Sequence, residues 1–185
     1  MVSILFPNEY FSPKATLESG QTFRFCPVEE GGYFVLSADK ACLLFPDGKN
    51  IRLECENADE EYFRNYFDFQ TDYAALISEA ESFSVPVLSA AARFGKGLRI
   101  LRQDKAECIV SFIVSQQNNI PRIKGILSRL CAALGEKKSF AGREYFAFPA
   151  LEKLAEKDEG FYRDLGLGYR AKYISETSKK LYAEG

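Results

Sequence analysis

Apolar and polar positions fall into two regimes along the chain. Over residues 1 to about 56, short β-prone runs TFRFCPV (22–28), YFVLSA (33–38), ACLLF (41–45) and NIRLEC (50–55) are separated by EEGG, ADK and PDGK, which have turn compositions. This predicts an antiparallel meander, with Asp47-Gly48 as its clearest hairpin signal. From Asp59 the period becomes helical. Tyr62, Phe63, Tyr66 and Phe67 form an aromatic stripe read as core, and residues 73–82 and 85–95 continue as helices that Gly95-Lys96-Gly97 ends. Ala106, Ile109, Val110 and Ile113 then share a face in residues 103–114, behind an Asp104/Glu107 capping box. Ile123, Ile126, Leu127, Leu130, Cys131 and Leu134 repeat behind Pro121 until Gly135. Residues 136–149 read as a loop, Pro149 opens a short helix, and a final helix carries Ile174 and Leu181. The expected fold class is α+β: an N-terminal sheet with helices over residues 1–95, followed by helices over residues 96–185.

Composition narrows the chemistry. With 185 residues, 46% of them hydrophobic, the chain can bury a substantial core. The complete absence of histidine excludes His-dependent triads, His-ligated zinc and imidazole acid-base work. Five widely spaced cysteines without a C-x-x-C pair read as reduced core thiols, so neither metal nor cofactor is expected. No apolar run is long enough for a membrane span and the N-terminus lacks secretory character, from which a cytoplasmic location is expected. The net charge of −2 is unevenly spread: residues 1–92 carry 6 basic and 15 acidic side chains, residues 93–185 carry 18 and 11. A basic half beside an acidic one can hold a phosphate backbone, although charge runs are more often solvated faces.

The candidate chemistry gathers between the helical patterns. Gln116, Gln117, Asn118 and Asn119 are four consecutive carboxamides at a helix–helix junction. Each amide offers a donor and an acceptor suited to a base edge; the competing reading has Asn118 or Asn119 capping the second helix and the glutamines solvated. Gly20, in SGQTFRF (19–25), marks a place where another molecule can approach the backbone, or an ordinary turn. In LGLGYRAKY (165–173), Tyr169 and Arg170 emerge beside two glycines, an arrangement suited to wedging into a base stack or to local packing and capping. Arg99 and Arg102 suit either phosphate or acids such as Glu107.

Those three segments, with ILRQDKAECIVSFIVSQQNNIPRI (100–123) as the longest, resemble the 8-oxoguanine DNA glycosylases, helix-hairpin-helix enzymes of base-excision repair, in order and in spacing. The resemblance covers nearly the whole chain and implies a TBP-like N-terminal sheet domain followed by part of an all-α glycosylase domain. The implied partner is double-stranded DNA containing oxidised guanine. The Gly20 carbonyl would accept the N7 proton that 8-oxoguanine has and guanine lacks. Gln117, Asn118 and Asn119, with Arg122 and Arg170, would hold the orphaned cytosine while Tyr169 wedges the stack. One departure is Gln117, where the family usually has the first of three asparagines. A larger one is that the family's Gly-rich hairpin, Schiff-base lysine and assisting aspartate follow the segment matching YRAKY, and no match to them occurs here. The chain is therefore expected to be an N-terminal segment of a glycosylase and AP lyase, inactive alone, with no catalytic residue assigned. Lys172 is read as a phosphate contact and not as a substitute nucleophile. The alternatives are a non-catalytic lesion-binding module, a protein-interaction domain that keeps the fold, and a related alkylated-base glycosylase.

Overall fold

The computed structural model describes residues 1–184. It is α+β, with an antiparallel sheet preceding the helices, and it divides into two compact units. The first comprises Met1–Gln21, Phe25–Val35 and Cys42–Arg102; the second comprises Thr22–Arg24, Leu36–Ala41 and Gln103–Gly185.

Strands β1 (Val2–Pro7), β2 (Phe25–Pro27), β3 (Tyr33–Ser37), β4 (Lys40–Asp47) and β5 (Asn50–Cys55) form a sheet in the order β1-β5-β4-β3-β2. The Asp47-Gly48 signal closes the β4–β5 hairpin: Asp47 pairs with Asn50, and Gly48 alone of the two loop residues has positive φ, +60°, the arrangement of a type II′ turn. Strand β1 is an edge strand, pairing from Val2 with Cys55 to Pro7 with Asn50. Sequence reading missed it because Ile4, Leu5 and Phe6 are consecutive apolar residues, which conceal a period of two.

A short helix α1 (Pro13–Leu17) also interrupts the expected meander, with the Ser12 hydroxyl accepting from the Ala15 N–H and proline in the first turn. Alternating Cys42 and Leu44, and Ile51, Leu53 and Cys55, face a core completed by Phe63, Tyr66 and Phe67 of α2 (Glu60–Tyr66) and its C-cap. The aromatic stripe is thus core, with Tyr62 at its margin. Two further helices, α3 (Tyr73–Ser82) and α4 (Pro86–Phe94), contain no buried residue. Of Arg99 and Arg102, read as suited to phosphate or to acids, Arg102 pairs with an acid, Asp68. Arg99 Nη1 donates to the Asp68 carbonyl at 2.6 Å, and Arg102 Nε donates to the Asp68 carboxylate at 2.6 Å.

The second unit packs α5 (Lys105–Ser115) and α6 (Ile120–Leu134) against α7 (Leu151–Ala155), α8 (Glu159–Asp164) and α9 (Arg170–Glu184). The α6 stripe is buried as expected. On α5 the buried face is Glu107, Val110, Ser111 and Val114, so Ala106, Ile109 and Ile113 lie at its edge. The expected loop is instead a hairpin of β6 (Lys137–Phe140) and β7 (Arg143–Phe146). Its two-residue turn, Ala141-Gly142, takes φ of +48° and +74°; an alanine there lacks the Asn-Gly signature that would have announced it. All five cysteines are free thiols, but only Cys42, Cys55 and Cys131 are buried; Cys26 and Cys108 are exposed, against the expectation of core thiols. Among the described residues no helix is long and apolar enough to cross a membrane.

Candidate nucleic-acid interface

The carboxamide run is the joint between α5 and α6, and each member has a different task. Asn119 is the N-cap of α6, its side-chain oxygen accepting from the Arg122 N–H at 3.0 Å. Asn118 folds back, donating from Nδ2 to the Val114 carbonyl at 3.0 Å and accepting the Asn119 N–H at 3.0 Å. The capping reading therefore describes how the asparagines are held. Gln117 is exposed and has φ of +46°, the left-handed region that a γ-extended side chain enters at a cost and asparagine tolerates better. Arg122 stands on the first turn of α6 and is exposed.

The joint is held from the other end of the unit by LGLGYRAKY. Gly166 and Gly168 both have positive φ, at +87° and +59°, so the chain turns sharply around the buried Leu167 and enters α9 at Arg170. At Gly166 a Cβ would lie 3.0 Å from the Arg129 guanidinium, whose Nε donates to the Leu165 carbonyl. Arg170 is 4% exposed, not projecting from the turn, and it grips the joint: Nε donates to the Gln116 carbonyl at 3.1 Å, and Nη2 donates to the carbonyls of Gln116 and Gln117. Tyr169, 53% exposed, donates its hydroxyl to the same Gln116 carbonyl at 3.3 Å, and its ring lies 4.5 Å from the Arg170 guanidinium carbon. The structure thus joins Gln117, Tyr169 and Arg170 in one cluster, with Asn118, Asn119 and Arg122 following along the backbone.

Gly20 belongs to the first unit. It is exposed, has φ of +90°, and meets nothing within 4 Å on the side where a Cβ would stand. Among the described residues no group of three or more His, Cys, Asp or Glu could hold a metal.

Family comparison decides what this set of motifs is. Residues 3–109 match the 8-oxoguanine DNA glycosylase N-terminal domain, and residues 110–184 match the HhH-GPD superfamily of base excision DNA repair proteins. The chain belongs to the 8-oxoguanine DNA glycosylase family. It is 32% identical over 183 residues to an N-glycosylase/DNA lyase of Saccharomyces cerevisiae, covering 89% of this chain and 48% of the yeast protein. It is 40% identical over 143 residues to the N-glycosylase/DNA lyase OGG1 of Arabidopsis thaliana, covering 75% of this chain and 38% of that one. The Clostridium acetobutylicum 8-oxoguanine glycosylase/lyase, solved with double-stranded DNA containing cytosine opposite 8-oxoG, superposes with a TM-score of 0.89 at 32% identity, over 98% of this chain and 63% of that one. The chain therefore spans about half or less of the curated glycosylases it matches.

One buried element of this family member had no counterpart in the sequence reading. Arg24, within SGQTFRF, and Glu107 form a buried ion pair at 3.1 Å, with side chains 6% and 4% exposed. The same Glu107 carboxylate accepts the Ala38 N–H at 2.6 Å, while Arg24 donates to the carbonyls of Ala38 and Phe146. Ala38 is held there at φ of +50°. Burial pushes the Glu107 carboxyl above its ordinary value, and the Arg24 charge and the Ala38 N–H oppose that shift. Glu107 supplies only its backbone N–H to the expected capping box, as donor to Asp104. A carboxylate at i−3 from Val110 and i−7 from Val114, inside the apolar stripe, was the available signal.

Proposed function

We propose that this chain reads 8-oxoguanine in duplex DNA opposite cytosine, as the recognition portion of a base-excision glycosylase and AP lyase. The observation that carries the reading is Gly20: an exposed backbone at φ of +90° with open space over its Cα. A carbonyl at such a place can accept from the N7–H of the lesion, and it meets only a bare acceptor on guanine, where two lone pairs repel. The occupant named for the Clostridium acetobutylicum structure, DNA with cytosine opposite 8-oxoG, supports the same lesion and partner base.

In this reading the lesion leaves the stack and the joint takes the vacated place. Tyr169 offers an exposed ring to the neighbouring bases, and the exposed Gln117 and Asn119 supply carboxamide donors and acceptors for the vacated place. Arg122 donates to the O2 and N3 acceptors of the orphaned cytosine. Arg170 contributes by holding the Gln116 and Gln117 carbonyls, which fixes the turn that carries Gln117.

Recognition, not bond cleavage, is the task of these residues. Lys172 is exposed and lies 3.8 Å from Glu176 one turn along the same helix, at the solvent surface and outside any enclosed pocket that would activate a nucleophile. Incubation with lesion duplex and borohydride is expected to trap no adduct on Lys172.

The direct test compares the chain with Gly20→Ala on duplexes containing 8-oxoguanine or guanine opposite cytosine. Wild type is expected to prefer the lesion by the worth of one hydrogen bond against one repulsion, about 1 to 3 kcal/mol, and the variant to lose most of that preference. Equal binding of lesion and guanine by wild type would refute the reading.

A further inference from the structure

Gln21 follows Gly20 directly, and its side chain is more heavily engaged than a surface glutamine requires. Its Nε2 donates to the Arg99 carbonyl at 2.9 Å, and its Oε1 accepts the Leu101 N–H at 2.9 Å. The carboxamide thereby reproduces the two-bond pattern of a strand residue whose own N–H and C=O pair with a neighbouring strand. Nε2 also donates to the Ser19 hydroxyl at 3.0 Å, and that hydroxyl donates to the Thr16 carbonyl at 2.8 Å. Both neighbours of Gly20 are therefore tied down.

The surface that receives them is itself fixed. The fully buried Thr16 hydroxyl donates to the Gly97 carbonyl at 3.3 Å and accepts the Arg99 N–H at 3.2 Å. Arg99 is anchored through Nε to the Tyr10 carbonyl at 3.0 Å and through Nη1 to the Asp68 carbonyl, and Leu101 is buried. Glycine has the widest conformational freedom of any residue, so a carbonyl meant to distinguish one proton on a base needs restraint from outside the glycine.

We propose that Gln21 is a positioning residue: its amide, clamped on Arg99 and Leu101, sets the direction of the Gly20 carbonyl and so the preference for the lesion. This rests on the Gly20 reading above and adds the residue that makes that reading selective. The length and the two-sided chemistry of glutamine are both required. Asparagine falls a methylene short, and glutamate keeps the acceptor for Leu101 N–H but faces the Arg99 carbonyl with an oxygen.

The test measures affinity of the full chain for duplexes with 8-oxoguanine or guanine opposite cytosine, in wild type, Gln21→Ala and Gln21→Glu. Gln21→Ala is expected to lower the lesion preference about five-fold, the scale of one or two net hydrogen bonds, while affinity for the guanine duplex changes less than two-fold. Gln21→Glu is expected to lose the preference at neutral pH and to recover it as pH is lowered through the carboxyl's value, which partial burial and the facing Arg99 carbonyl raise above the ordinary value of about 4.3, because the protonated acid regains a donor for that carbonyl. That recovery decides the matter even if Gln21→Ala unfolds. An unchanged preference in both variants, or equal losses on lesion and guanine duplexes without recovery in acid, would overturn the positioning role. Absence of any lesion preference in wild type would instead overturn the Gly20 reading itself.

Discussion

Arg170 and Gln116, 54 positions apart, are bound by a guanidinium that donates into the turn of the α5–α6 joint. Because the same guanidinium reaches the Gln117 carbonyl, the LGLGYR turn and the carboxamide run are one structural object, although neither is stable in its observed conformation from local sequence alone. Two glycines with positive φ aim Arg170, and Arg170 in turn holds a glutamine in the left-handed region.

Replacing Arg170 by lysine should loosen the joint without removing the charge. Lysine offers a point charge and cannot serve two carbonyls from a planar fork. A loss of about 1.5 to 3 kcal/mol of stability is expected from charge-assisted bonds, together with faster amide exchange at Gln117 and Asn118. Unchanged exchange at those amides would show that the joint does not depend on the arginine.

Gln117→Asn should stabilise the chain. At φ of +46° asparagine is several-fold better tolerated than glutamine, which corresponds to a gain of about 0.5 kcal/mol, readable as a small rise in Tm. It should also change discrimination of cytosine from other bases opposite the lesion, because the amide moves by one methylene. A fall in Tm would contradict the left-handed assignment.

Arg24 and Glu107 should behave as a unit. Breaking a buried pair by Arg24→Ala or Glu107→Ala leaves an uncompensated charge and is expected to cost about 3 to 5 kcal/mol each. The double variant should cost clearly less than the sum, as a double-mutant cycle in urea would show. Strict additivity would mean that the two side chains do not interact.

The Glu107 carboxyl also predicts a sign for pH dependence. Its folded value lies above the ordinary 4.5, so the folded chain holds this proton more tightly than the unfolded chain does. Its contribution is complete below 4.5 and declines as pH rises through the raised value. The stability of wild type relative to Glu107→Gln should therefore fall as pH is raised from 4 towards neutrality; Asp39 and Asp68, whose carboxyls are lowered and act in the opposite sense, cancel from that difference. A relative stability that climbs over this range would reverse the assignment.

Residues with short-range signatures were the legible ones. The Phe63, Tyr66 and Phe67 stripe, the Asp47-Gly48 hairpin and the Ile123 to Leu134 face carry their structure in spacing alone. The Ser12-Pro13 pair carried an equally local helix-start signal for α1, within a stretch read as strands. By contrast, the Arg24–Glu107 pair spans 83 positions and the Gln21 clamp spans 78 and 80, and no local pattern encodes which distant backbone a side chain will reach. For the same reason Arg170, read as emerging at a turn, is buried against the joint: its exposure depends on a partner 54 residues away.

A chain that reads both the lesion and its partner base must discriminate at both positions. Equilibrium binding to three duplexes, 8-oxoguanine opposite cytosine, 8-oxoguanine opposite adenine and guanine opposite cytosine, tests it at one salt concentration. The tightest binding is expected to 8-oxoguanine opposite cytosine, with the advantage over adenine lost in Arg122→Ala, since a good base contact is worth about 1 to 3 kcal/mol. Equal affinity for all three duplexes, falling uniformly as salt is raised, would reduce the site to phosphate binding and refute base reading.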